Sequence, residues 1–116
     1  MLRDSMRMLL FRHVDRILMK FLVVERLKQG VSPKDIDQWG KVMVEDLKYK
    51  TKLERKQRIV AGGPFLDTLG VCYVLETKTI EEMGEVLFNS PSNFFVDREV
   101  HPLGTFADTL EGIKAL

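Results

Sequence analysis

Residues 93–106 read Asn93-Phe94-Phe95-Val96-Asp97-Arg98-Glu99-Val100-His101-Pro102-Leu103-Gly104-Thr105-Phe106. Aromatic and β-branched residues fill this stretch and a proline and a glycine end it, which predicts a β-strand. Successive side chains of a strand point to opposite faces of its sheet. One face would carry Phe94, Val96, Arg98 and Val100, and the other would carry Phe95, Asp97, Glu99 and His101. The first row suits a face covered by helices. The second row, with two carboxylates and an imidazole, either lines a wet cavity or faces solvent on an edge strand.

The rest of the chain predicts three more strands and two helices. The strands are expected at Phe21–Leu27, Arg58–Ala61 and Val71–Glu76,. Ser32 and Pro33 predict the start of a long helix that runs to about Glu54–Gln57. Thr79 and Glu82 form a capping box for a second helix, which Asn89-Ser90-Pro91 ends. Trp39 falls on the apolar stripe of the long helix, which favours a core position over a ligand platform.

This order of elements predicts a ferredoxin-like α+β fold, βαββαβ, with a four-stranded antiparallel sheet and both helices on one face. The other face of such a sheet would be bare. We expect Phe21, Val23 and Phe95 there, with either Val71 and Tyr73 or Cys72 and Val74. An apolar patch of that size is seldom left open to water, so a second copy is expected to cover it. The result would be a homodimer, a dimeric α+β barrel.

Composition limits the classes of function. A chain of 116 residues with 45% hydrophobic and 30% charged residues predicts one folded domain,. The net charge of +1 gives no reason to expect a nucleic-acid or membrane partner,. The single cysteine, Cys72, excludes an internal disulfide and favours a reducing, cytoplasmic location,. No basic neighbour activates Cys72, the two histidines lie far apart, and Gly62-Gly63 lacks a phosphate-loop pattern. No metal or cofactor is therefore expected.

The chain is expected to divide into three parts. Residues 1–18 form an N-terminal extension with apolar residues at helical spacing and arginines between them,. This segment could lie on a membrane or dock on a partner, or it could lie upstream of a natural start at Met19. Residues 19–106 form the barrel domain. Residues 107–116 form a C-terminal tail long enough for a short helix.

Three stretches resemble a known family. Met19-Lys20-Phe21-Leu22-Val23-Val24, Leu75-Glu76-Thr77-Lys78-Thr79-Ile80-Glu81-Glu82 and Asp97-Arg98-Glu99-Val100-His101-Pro102-Leu103-Gly104-Thr105-Phe106 are similar to muconolactone isomerase-like proteins of the dimeric α+β barrel superfamily. Gly62-Gly63-Pro64-Phe65 is similar to its YCII-like members. The resemblance covers about residues 19–114. In the second strand, the tryptophan and the His-Tyr pair of true muconolactone isomerases have no counterpart, and Arg58 and a glycine remain.

The resemblance implies an isomerase or lyase that moves a proton next to a carbonyl, with barrel-lining residues as acid and base. The candidates for that role are Asp97, Glu99, His101 and Glu25, and Asp97 and Glu99 match the acidic pair of the family strand. Arg58 or Tyr73 could hold an anionic substrate or enolate. Alternatively, Asp97 and Glu99 only pair with Arg26, Arg58 or Lys20 across the sheet, and His101 only makes a hydrogen bond at the strand end. The second hypothesis for the whole protein is a non-catalytic dimeric module that binds a small ligand or serves in assembly.

Overall fold

A computed structural model describes residues 18–30 and 33–116. The expectations for the N-terminal extension therefore concern a segment that lies outside the described residues, apart from Leu18. Within the described ranges, no helix combines the length and the apolar character that crossing a bilayer requires.

The described residues form four strands and three helices. The strands are β1 (Met19–Leu27), β2 (Ile59–Pro64), β3 (Gly70–Thr77) and β4 (Val96–Leu103), and the helices are α1 (Pro33–Arg55), α2 (Ile80–Phe88) and α3 (Phe106–Lys114). The strand β4 begins later than predicted, because residues 91–95 form turns in which Asn93 N donates to Ser90 O and Phe95 N to Ser92 O. The C-terminal tail forms α3, none of whose side chains is buried.

The predicted capping box opens α2. Thr79 Oγ1 accepts a hydrogen bond from Glu82 N at 3.0 Å. The Glu82 side chain returns to Lys78 N at 3.0 Å, one residue earlier than the standard box,. These bonds satisfy backbone donors at the start of the helix, where intrahelical partners are missing. The sequence signal therefore placed this helix correctly.

The sheet confirms the predicted fold class. Its strand order is β2-β3-β1-β4, and all three neighbouring pairs are antiparallel. One tight contact explains a glycine in β2. Gly62 has φ +111°, and a Cβ there would lie 2.2 Å from Cys72 O, so a larger residue would push β2 away from β3,.

The helices α1 and α2 cover one face of this sheet. The hydrophobic core on that side is made by Phe21, Val23, Leu53, Ile59, Tyr73, Leu75, Val86 and Leu87. The hydroxyl of Tyr49 on α1 donates to Val86 O on α2 at 2.7 Å and so ties the two helices together. Val96, Arg98 and Val100 belong to the covered row of β4, as predicted, and they are half-buried. Phe94, the fourth residue predicted for that row, lies in the turn before β4 and is 78% exposed.

The expected membership of the bare face was wrong for β1. Phe21 is 3% exposed and Val23 is fully buried, so both belong to the core under the helices. Leu22 and Val24 face the uncovered side, where they pair with Val74 and Cys72 of β3. Phe95 is half-buried in the turn before β4 rather than on the sheet. Hydrophobicity could not separate the two rows, because Phe21-Leu22-Val23-Val24 is apolar on both faces,.

Candidate active site

A buried carboxylate lies between the sheet and α1. Glu25 projects from β1 and is 1% exposed. Arg98 Nε on β4 lies 2.6 Å from its Oε2, and the hydroxyl of Tyr73 on β3 donates to the same oxygen at 3.1 Å. Lys50 Nζ on α1 lies 2.9 Å from Oε1 as a counterion, and Oε1 accepts no hydrogen bond from the described residues. A buried carboxylate needs such compensation, because its desolvation is expensive.

A second carboxylate, that of Asp46, also forms an ion pair with Lys50. Asp46 and Lys50 are four residues apart on α1 and form a close ion pair. Ser90 Oγ also donates to Asp46 Oδ1 at 2.5 Å, and Ser92 N approaches the same oxygen at 3.4 Å. Burial raises the pKa of Asp46, but the hydrogen bonds from Lys50 and Ser90 and the charge of Lys50 outweigh it. The pKa therefore lies below its ordinary value,.

Tyr73 is fixed as a hydrogen-bond donor. Burial, followed by the charge of Glu25 and the hydrogen bond to it, raises the pKa of the Tyr73 hydroxyl above its ordinary value,. The phenol consequently keeps its proton throughout the neutral pH range. It can donate to Glu25 or to an oxygen that carries negative charge.

The two carboxylates line a cavity of about 250 Å³ between α1, the sheet and the β2–β3 connection. Its walls are mostly apolar, and the lining residues are Glu25, Leu27, Trp39, Met43, Asp46, Leu47, Pro64, Phe65, Thr68, Leu69, Gly70, Val71, Ser92 and Val96. An apolar cavity of about 150 Å³ already holds benzene. This cavity is therefore large enough for a substituted single ring.

A smaller cavity of about 160 Å³ adjoins the first one. Both are lined by Leu47, Pro64 and Val71, while Lys50 and Tyr73 line only the smaller one. The Glu25–Lys50 ion pair thus joins the walls of the two cavities. A ligand bound in the larger one would lie against Glu25, with Lys50, Tyr73 and Arg98 behind that carboxylate.

The structure divides the predicted site residues between two faces of the sheet. Glu25 and Tyr73 lie together beside the cavity. Asp97, Glu99 and His101 are exposed on the opposite, uncovered face, where they lie in register with Arg26, Val24 and Leu22. Their predicted catalytic role is untested, and it would need a site on that face.

The charged groups of the uncovered face make loose contacts. Glu99 lies 3.9 Å from Arg26 Nη1 and 3.4 Å from His101 Nε2, and all three side chains are more than half exposed. Pairs of this kind contribute little stability. Arg58, predicted as an anion-binding residue, instead pairs with Glu82 at 2.5 Å and lines neither of the two cavities.

Sequence reasoning missed Asp46, Lys50 and Arg98 as parts of this site. Arg98 carried a usable signal, because an arginine between Val96 and Val100 on a covered face must find a carboxylate there. Asp46 and Lys50 carried a weaker one, the four-residue spacing of opposite charges on one helix. Trp39 was expected in the core, whereas the structure places it half-buried in the cavity wall.

The described residues offer no evident metal centre. Within 18–30 and 33–116, no group of three or more His, Cys, Asp or Glu side chains is arranged to hold a metal ion.

Comparison with known proteins gives a structural likeness. No family model and no curated protein matches the chain. A solved structure does match: 5-chloro-2-hydroxyhydroquinone dehydrochlorinase from Burkholderia phenoliruptrix AC1100, in complex with 2,5-dihydroxybenzoquinone. The TM-score is 0.57 at 22% identity, over 78% of this chain and 98% of that chain. At this identity the likeness shows the fold alone: the chain shares with that structure an α+β, βαββαβ fold with a four-stranded antiparallel sheet.

Proposed function

We propose that the protein is a small-molecule isomerase or lyase in which Glu25 accepts a proton from a carbon next to a carbonyl group. One observation carries this proposal: a buried glutamate, Glu25, lines a cavity that can hold a single ring. General bases need to lie within hydrogen-bond reach of the proton that they remove. Glu25 lines the cavity but is only 1% exposed, so the reacting carbon would have to lie directly against it. Glu25 was among the residues that sequence analysis selected for this role.

The cations around Glu25 would stabilise the enolate that this step forms. Glu25, Asp46, Lys50 and Arg98 carry two negative and two positive charges, so the cluster is neutral before the reaction. When Glu25 takes the proton, the cluster becomes positive as the substrate becomes an enolate. Lys50, Arg98 and the protonated Tyr73 hydroxyl would then stabilise the negative charge on the substrate. The proton can return to another carbon, or a leaving group can depart with the electron pair.

Two likenesses support this class of reaction. The sequence resembles muconolactone isomerase-like proteins at the stretches quoted above. The solved structure of similar fold is named as a dehydrochlorinase that acts on a small hydroxylated ring. The fold alone does not carry a function, so the proposal depends on Glu25 and its cavity.

Proton exchange tests the proposal. Candidate unsaturated lactones and cyclic ketones would be incubated with the protein in deuterium oxide, and loss of the carbon-bound proton would be followed by NMR. For a substrate that exchanges, Glu25→Gln should lower the rate by roughly a hundredfold or more, the usual share of a general base. Glu99→Gln is the matched control, and we expect it to keep the rate within about twofold.

Two results would contradict this assignment. Loss of exchange in Glu99→Gln with an active Glu25→Gln would move the reaction to the uncovered face, where Asp97, Glu99 and His101 lie. Exchange that is equal in both variants and the parent would exclude Glu25 and Glu99 as the general base.

The alternative is a non-catalytic dimeric module. It is favoured by the contacts of Glu25, because Arg98 and Tyr73 bond to one carboxylate oxygen and Lys50 lies near the other, as they would in a purely structural network. In that case no candidate compound would exchange faster than in buffer, and Glu25→Gln would change only stability.

We also propose that residues 19–106 form the barrel domain and assemble as a homodimer through the uncovered sheet face. Leu22, Val24, Cys72 and Val74 lie in register at the centre of that face and are half-buried in the single chain. Arg26, Glu99 and His101 flank this apolar patch. An apolar centre with a charged rim is the usual anatomy of an interface, and a two-fold arrangement would cover it in both copies.

A further inference from the structure

The walls of the larger cavity have an unusual charge pattern. Among the described residues that line it, the charged ones are Glu25 and Asp46, and both are acidic. The cations that neutralise them, Lys50 and Arg98, are not lining residues of this cavity. The charged residues nearest to a ligand in this cavity are therefore acidic, and they expose little area, with Glu25 1% and Asp46 6% exposed.

We infer that this cavity binds neutral single-ring compounds and rejects anions, and that Glu25 and Asp46 determine this selectivity. The inference takes from the proposed function only the location of the ligand in the cavity. The volume of about 250 Å³ admits a substituted ring, and apolar side chains make up most of its wall,. A carboxylate on the ring would lie in a poorly hydrated space beside two like charges, which disfavours its binding.

The nearby cations do not offer an alternative anion site. Lys50 reaches the smaller cavity, but its ammonium group already contacts both Asp46 and Glu25. Arg98 Nε lies 2.6 Å from Glu25, and its Nη1 donates to Asn93 Oδ1 at 2.7 Å. Arg98 Nη2 has no hydrogen-bond partner among the described residues, but it is buried away from solvent. An anion would have to displace a carboxylate to reach any of these groups.

Replacement of one carboxylate should reverse the preference. In Glu25→Gln the same cluster carries two cations and only Asp46 as an anion, so its net charge becomes +1. This state resembles the one that follows proton transfer to Glu25. The variant should accept an anion that the parent rejects, whereas a role in packing alone predicts no such reversal.

Benzamide and benzoate provide a matched test, because they have nearly the same shape and differ in charge at neutral pH. Trp39 is the single tryptophan of the chain and lies in the cavity wall, so its fluorescence reports occupancy directly. Titration of the full chain should show benzamide binding at least about tenfold more tightly than benzoate. Glu25→Gln should reduce that ratio to about twofold or invert it, and Asp46→Asn should act in the same direction.

A second pair of variants tests whether the probe binds in this cavity. Thr68 lines the cavity, whereas Leu66 in the same loop is fully exposed and does not. Thr68→Phe should weaken benzamide binding several-fold, and Leu66→Phe should leave it unchanged. Equal affinities of the parent for the two probes would overturn the inference, as would a ratio that neither carboxylate variant changes. Binding insensitive to Thr68→Phe would also overturn it. Failure of the proton-exchange test alone would remove the proposed reaction and leave the selectivity standing.

Discussion

Replacing Glu25 with alanine should lower the free energy of unfolding by about 3–5 kcal/mol, the usual effect of removing one partner from a buried ion pair. The carboxylate is 1% exposed and faces both Arg98 and Lys50. Its loss would leave two cations with Asp46 as their remaining buried acid. Urea unfolding, with the parent chain alongside, would measure the difference from the two midpoints and slopes.

A matched control lies on the neighbouring strand, on the opposite face of the same sheet. Glu99 is a carboxylate on β4 whose contacts are solvent-exposed. Glu99→Ala should therefore change the unfolding free energy by less than about 0.5 kcal/mol. If the two variants lost equal stability, Glu25 would not be a buried, compensated charge. Glu25→Gln keeps the shape and an acceptor oxygen, so it should be less destabilised than Glu25→Ala and remain suitable for the exchange assay.

The second large effect should appear in assembly. Leu22→Glu places a charge among Val24, Cys72 and Val74, on the face where we propose that two copies meet. The glutamate can stay hydrated in the single chain but not in a packed sheet interface. We expect the parent chain to be a dimer by light scattering at micromolar concentration and the variant to be monomeric.

An exposed helix position provides the control for this variant. Val44 on α1 is 52% exposed, and Val44→Glu should leave the dimer intact. Dimers that survive Leu22→Glu would show that the uncovered face is not the interface. Val23→Glu would be uninformative, because Val23 is fully buried under the helices and its replacement would unfold the domain.

The fold could be predicted because its local signals agreed with one another. Pro33 opens α1, Thr79 and Glu82 cap α2, and alternation in β4 sorts Arg98 and Val100 from Asp97 and Glu99,. The prediction of which face of β1 is buried was wrong. Both rows of this strand are apolar, and only tertiary packing decides which row the helices cover. Register with β3 resolves it, since Val23 pairs with the buried Tyr73.

The site was only partly predictable for a related reason. Glu25 and Tyr73 were selected as single residues, but their partners come from elements far apart in sequence. Lys50 is 25 positions after Glu25 and Arg98 is 73 positions after it. Nothing local in the sequence shows that these side chains meet. The charged row of β4 can be recognised from the sequence, because its members alternate along one strand. The buried ion cluster forms only when the sheet and α1 pack together.

The most direct test of this account is to locate a bound ligand by NMR. Benzamide, or any compound that exchanges its proton, would be titrated into isotopically labelled protein and the backbone amide shifts followed. We expect the largest changes at Leu27, Gly70 and Val71, which line the cavity on the helix side of the sheet. Changes centred instead on Val24, Val74 and Glu99 would place the ligand on the uncovered face and contradict it.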